Sequence, residues 1–194
     1  YRPQAMYCRR QAGQGAFGDF VYAEGEYLHD VDAPTNLREV GKSRGASRSG
    51  REWSLRQEEY RRRGAQDGPM LYPTHSISGP LSVMDAHAVK VCAWGYADRT
   101  GDPFFADSAF SNETAFFYLS NGASMRIREC RQIGYPETEA FRIYGTRGSF
   151  EGDAWLDNRG ARRLTVEEMR DPLPAEVAAA FSACSIEAQA YGAH

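Results

Sequence analysis

The sequence predicts an α+β domain built on an antiparallel sheet, and three observations carry that expectation. Apolar and aromatic runs in the middle of the chain alternate at period two and are separated by turn residues. One of those turns, Ser120-Asn121-Gly122-Ala123, contains Asn-Gly, the dipeptide suited to a tight hairpin. Helical patterns come before and after the strand runs, whereas a doubly wound parallel fold needs a helix between each pair.

Residues 3–12 (PQAMYCRRQA) suit a short helix with Pro3 in its first turn, and the glycines of 13–18 break it. Residues 19–28 then read as a strand, with Phe20 and Tyr22 on one side and Val21 and Ala23 on the other. The segment 38–65 changes character: nine Arg and Lys residues, Arg38 through Arg63, outnumber Glu39, Glu52, Glu58 and Glu59. Its Gly/Ser/Arg part, 41–50, has too little apolar surface to order itself. We expect a mobile basic loop over 38–65, with a short helix over 53–63. Residues 72–84 suit a helix and 88–97 a strand, with Val89, Val91, Ala93 and Gly95 on one face. A loop follows over 98–112, then strands over 114–119 and 124–133 joined by the Asn-Gly turn. Two more strands, 140–144 and 149–151, flank the turn 145–148. A helix over 175–181, with Pro174 near its start, completes the pattern. The chain has no internal repeat.

At 194 residues the chain fits one domain able to bury a core. Its hydrophobic fraction of 42%, charged fraction of 25% and net charge of −3 are ordinary globular values and argue against a nucleic-acid partner. Cys8, Cys92, Cys130 and Cys184 are far apart and form no CxxC, so they read as isolated reduced thiols. No apolar run approaches the ~20 residues that span a bilayer. No apolar segment follows Tyr1-Arg2-Pro3 to make a signal peptide, and cytoplasm is the default location.

Two clusters carry chemistry. In Gly68-Pro69-Met70-Leu71-Tyr72-Pro73-Thr74-His75, Tyr72 and His75 share a face if Pro73 opens a helix. A phenol and an imidazole together form a donor/acceptor and proton-transfer kit near neutral pH. Upstream, alternation puts Tyr27 and His29 on one strand face, within reach of one ligand, while Asp30 points to the other face and suits a turn cap. The bland alternatives are a helix histidine satisfied by a carbonyl and a polar strand end. Gly13-Gln14-Gly15-Ala16-Phe17-Gly18 matches GxGxxG literally, but a dinucleotide site needs a strand before and a helix after. Here the order is reversed, so we read a glycine-rich turn. His29, Asp30 and His75 show no metal-ligand spacing, and no metal is expected. Arg126 and Arg128 alternate with Met125 and Ile127 and read as sheet-surface charge or a pocket face.

The order and spacing of YAEGEYLHD, GPMLYPTHSISGP, Asn112-Glu113, SNGASMRIRECRQIG, FRIYGTRGSFEGD and LPAEVAAAF resemble the C-terminal substrate domain of the Gfo/Idh/MocA oxidoreductases. The YLHD and YPTH pieces are closest to the branch that includes NAD-dependent glycosidases. The match covers most of the chain except 32–65. The resemblance implies a large open, predominantly antiparallel sheet with helices packed on one face. It implies that residues 1–194 are a substrate-binding and dimerisation domain truncated at both ends, with a Rossmann domain upstream. It implies NAD or NADP held mainly by that missing domain, a sugar-like substrate, and a homo-oligomer formed through the open sheet face.

By the same resemblance His75 and Tyr72 are the catalytic candidates, and Tyr27, His29 and Arg56 the substrate-binding ones. Arg56 matches a Trp-Arg pair only loosely, since Ser54 follows Trp53. Many family dehydrogenases carry Asp three residues after the histidine and a second His four further on. Ser78 and Ser82 stand there, so alcohol oxidation by that pair is not expected. Three functions follow: the substrate half of an NAD(P)-dependent sugar or polyol oxidoreductase, inactive alone; an NAD-dependent glycoside hydrolase domain; or a non-catalytic sugar-binding or dimerisation module.

Overall fold

A computed structural model describes residues 2–34, 37–38, 47–65, 67–71 and 73–171, with only the backbone of Ser49 and Trp53. Helix α1 (Pro3–Gly13) starts with proline, whose missing N–H costs nothing in a first turn, and buries Tyr7 and Cys8. Strand β1 (Phe20–Leu28) follows. Helix α2 (Arg48–Arg62) is capped by the Ser47 side chain, which accepts from the Gly50 amide. It therefore begins well before the expected 53–63 segment. A 3-10 turn (Pro69–Leu71) leads to helix α3 (Thr74–Met84), with Pro73 at its N-cap. Strands β2 (Ala88–Tyr96), β3 (Asn112–Leu119), β4 (Ser124–Cys130), β5 (Thr138–Gly145), β6 (Gly148–Glu151), β7 (Ala154–Asp157) and β8 (Gly160–Arg163) come next, and α4 (Val166–Met169) ends the described chain. The expected helix over 175–181 lies outside the described residues.

Among the described residues the strands form one eight-stranded sheet, ordered β2-β3-β4-β1-β5-β6-β7-β8. Every neighbouring pair is antiparallel except β1 and β4. The fold is thus the expected α+β class with an open, predominantly antiparallel sheet. Strands β7 and β8 were not expected; at four residues each they are too short to show a period. Helices α1, α3 and α4 cover one face. The core there holds Phe17, Ala23, Met125, Ile127, Ile143 and Phe150, all essentially solvent-free. A register shift between Phe20 and Tyr22 turns Val21 outward, away from the side it was expected to share with Ala23.

The opposite face is open. Its centre is a lattice of ion pairs: Glu24 meets Arg126 at 2.8 Å and Arg142 at 3.0 Å, Arg142 meets Glu151 at 2.9 Å, and Arg128 pairs with Glu26. Tyr22 and Tyr144 stack at 6.0 Å beside it; burial and then the neighbouring carboxylates push both phenols up to about 12. Towards the β2 edge this face turns aromatic, with Trp94 66% exposed and Phe116 and Tyr118 beside it. No helix among the described residues is long and apolar enough to cross a membrane.

The seat of α3 is set by glycine. A Cβ on Gly25 of β1 would lie 1.8 Å from the Ser76 carbonyl oxygen, and one on Gly79 would lie 2.8 Å from the Phe141 ring. Gly25→Ala is expected to lower the urea midpoint by the equivalent of about 3 kcal/mol, because backbone rather than a flexible tip must move. Gly134→Ala, which meets nothing within 4 Å, should leave the midpoint unchanged. Equal midpoints for the two variants would remove Gly25 from this role.

Candidate functional site

The first turn of α3 lies over the end of β1. His75 therefore comes down on Tyr27, with ring centroids 4.6 Å apart and planes 25° from parallel. The Arg131 guanidinium also lies over the Tyr27 ring, 4.6 Å from its centroid. Arg131 is held in turn by Glu129 at 2.8 Å, a carboxylate on β4 with no solvent exposure. The Ser76 hydroxyl donates to the same carboxylate. Burial raises the Glu129 pKa, against the lowering pull of Ser76 and Arg131. The result is a stack of guanidinium, phenol and imidazole, anchored from below by one buried acid.

His29 completes the group. Strand alternation returns it to the Tyr27 side, and the Tyr27 hydroxyl contacts its Nδ1. The residue is 4% exposed, and its Nε2 is buried with no hydrogen-bond partner among the described residues. A buried polar atom left without a partner costs about 1–3 kcal/mol. Burial lowers the His29 pKa, favouring the neutral ring; Glu137, 3.8 Å from Nδ1, pulls the other way. Burial likewise raises the Tyr27 pKa, so the hydroxyl keeps its proton. His75 is 43% exposed, and its Nδ1 lies 3.2 Å from the Glu139 carboxylate. It is not buried.

Tyr27, His29 and His75 are thus brought together. Tyr72 lies outside the described residues. Arg56 sits exposed on α2, with no contact to this group among the described residues. Arg126 and Arg128 project from the open face and are committed to Glu24 and Glu26, which removes them from any pocket shared with His75. The arginine at the site is Arg131, which sequence reasoning missed along with Glu129, Glu137 and Glu139. Asn112 and Glu113, without a role in the sequence, acquire one. The Asn112 side-chain oxygen accepts from the Arg131 and Gln132 amides at 3.0 and 2.9 Å, fixing the bend that aims Arg131 back. Glu113 accepts from the Met70 amide and so ties down the turn that leads into α3. Asp30 is the turn cap expected, accepting from the Asp32 and Ile133 amides at 2.9 and 2.7 Å.

The site offers two imidazoles, a phenol, a guanidinium and three carboxylates at one strand end, a set suited to a ligand with several hydroxyls. The 13–18 glycines do not form a dinucleotide cradle. They end α1 and lead into β1, with Gly15 and Gly18 at positive φ, so no helix N-terminus follows. The Gly15 carbonyl is taken by Arg147 at 2.8 Å. No cluster able to hold a metal ion occurs among the described residues. A separate cleft of about 690 Å³, lined by residues including Gln11, Arg147, Trp155 and Arg159, contains none of the Tyr27 group.

No protein-family model matches the sequence, and no curated protein does. Solved structures do match, oxidoreductases and inositol dehydrogenases among them. An oxidoreductase domain protein from Kribbella flavida is 13% identical with a TM-score of 0.57, over 84% of this chain and 46% of that one. Scyllo-inositol dehydrogenase from Lactobacillus casei, solved with NAD(H) and scyllo-inositol, is 14% identical with a TM-score of 0.53, over 86% and 46%. Myo-inositol 2-dehydrogenase from Lactobacillus plantarum is 15% identical with a TM-score of 0.51, over 82% and 44%. The likeness establishes a shared fold, and the chain spans less than half the length of these proteins.

The buried neutral His29 has a stability consequence. Its folded pKa lies below the unfolded value of about 6.5. The unfolded chain therefore takes up a proton first as pH falls. The contribution of neutral His29 is complete above about 6.5 and is lost as pH drops towards the folded pKa. Thermal melts at pH 7.5 and 5 should show a larger fall in Tm for the wild type than for His29→Gln; parallel falls would contradict the assignment.

Proposed function

We propose that this chain is the substrate-binding part of an NAD(P)-dependent oxidoreductase acting on a sugar or polyol. The observation that carries the reading is the gathering of Tyr27, His29 and His75, from two distant segments, into one contact group that ends at the exposed His75 ring. A hydroxyl can both donate and accept, so a polyol suits a group that offers donors and acceptors side by side. In this reading Tyr27 and His29 orient the substrate and His75 manages its proton, with Tyr72 as a second catalytic group beside it and Arg56 a more distant binding residue. The nicotinamide cofactor, NAD or NADP, would be held by a Rossmann domain outside these residues. The lengths of the matched oxidoreductases, of which this chain spans less than half, support that division. The unpaired thiols of Cys8, Cys92 and Cys130 suit a cytoplasmic setting.

The 194-residue chain alone should then oxidise no polyol. The full-length protein should reduce NAD or NADP with a cyclic polyol or sugar, and His75→Ala should lower kcat/KM by about 10²-fold or more. Release of p-nitrophenol from aryl glycosides without net cofactor reduction would replace this reading with a redox-assisted glycosidase. Full activity in both His75→Ala and Tyr72→Phe would leave a binding or dimerisation module.

We infer also that the open face pairs with a second copy. The aromatic strip of Trp94, Phe116 and Tyr118 lies beside a charge lattice already neutralised within the chain, and such a surface loses little on leaving water. Trp94→Asp should shift the sedimentation coefficient towards a smaller species, and no shift would count against this face.

A further inference from the structure

We propose that Glu139 is the positioning carboxylate of His75, holding its proton on Nδ1 so that Nε2 carries the lone pair. The inference rests on the reading of His75 as the proton-handling group. The sequence offered no carboxylate near this histidine, since Ser78 and Ser82 occupy the next turns of its own helix. The fold supplies one from another element. Glu139 lies on β5 directly opposite Tyr27 of β1, the residue on which the His75 ring rests. Its Oε2 is 3.2 Å from His75 Nδ1.

Glu139 is itself fixed in two ways. Arg2 pairs with its carboxylate, and the Arg2 Nη1 donates to the Glu139 carbonyl at 2.7 Å. One arginine thus grips both the side chain and the backbone of this residue. The His75 ring has little freedom of its own, because stacking on Tyr27 fixes its plane and leaves one edge turned to Glu139. A carboxylate that accepts from Nδ1 selects the Nδ1–H tautomer, as the partner of one ring nitrogen decides where the proton sits. An imidazole so set presents Nε2 as a base towards a substrate hydroxyl. A ring with the opposite tautomer would present a donor there. Glu139 touches no substrate in this scheme and acts through His75 alone.

The test reads the proton directly. Two-dimensional ¹⁵N–¹H spectra of the 194-residue chain, recorded at alkaline pH where imidazole is neutral, assign the protonated nitrogen of each histidine. His75 should show the protonated signal at Nδ1, the reverse of an unconstrained imidazole. Glu139→Ala should return it to Nε2, and Glu139→Gln, which keeps a weaker acceptor, should give a mixture. Ser82→Ala, which removes a polar side chain from the C-terminal half of the same helix, should leave Nδ1 protonated. Protonation of His75 at Nε2 in the wild type would overturn the proposal, as would an unchanged tautomer in both Glu139 variants. If Glu139→Ala fails to fold, Glu139→Gln decides alone. The proton's position is independent of turnover. A full-length protein that oxidises no polyol, with His75 carrying Nδ1–H, loses the functional reading and keeps Glu139. An active enzyme with Nε2–H does the opposite.

Discussion

The contact on which the site depends is the one between the Ser76 carbonyl and the bare backbone of Gly25. Two residues make it possible. Gly25 has no side chain to hold a helix away from the sheet. Pro80, four residues after Ser76 inside α3, has no N–H to donate back to that carbonyl. The Ser76 oxygen therefore leaves the helical ladder and rests on the strand. That seat brings His75 over Tyr27 and lets the Ser76 hydroxyl reach Glu129. A helix held further off would lose the ring stack and the buried hydrogen bond together.

The two faces of the sheet treat charge differently. On the open face, arginines and glutamates alternate across neighbouring strands, and each acid finds a base. Partly solvated pairs of this kind contribute little each, and their effect is to make a charged surface electrically quiet. On the helix side Glu129 is fully buried, where an unpaired carboxylate would be costly. Arg131 and Ser76 offset that cost, and in doing so they acquire fixed positions. Electrostatic necessity at Glu129 thus becomes geometry at Tyr27: the guanidinium that neutralises the acid is also the lid on the phenol ring.

The parts of this arrangement legible in the sequence were the local ones. Asn121-Gly122 marked its hairpin because the dipeptide itself meets the turn's backbone demand. Tyr27 and His29 were paired by strand alternation alone, and the 13–18 glycines were recognised as a turn because a helix preceded them. What crossed the fold was hidden. Glu139 is 64 residues from His75 in sequence, and only the β1–β5 register puts it there. Arg131 looked like one more arginine after Arg126 and Arg128; it differs because it lies beyond the end of β4, where the chain bends around Asn112. Strands β7 and β8 carry too few residues for a pattern, and α2 started early because Ser47 could cap it within a stretch whose composition suggested no order.

The place of β1 in the sheet bears on the order in which the molecule assembles. This strand is fifth from one edge and fourth from the other, and both its neighbours, β4 and β5, come from residues 124–145. A chain emerging from the ribosome thus exposes 20–28 for roughly a hundred further residues before either partner exists. The hairpin of β3 and β4 and the meander from β5 to β8 close locally and quickly; insertion of β1 between them must follow closure of a long loop, the slow class of event in folding. The strand that carries Tyr27 and His29 is therefore made well before both of its partners, and the binding site is completed only when a long loop closes.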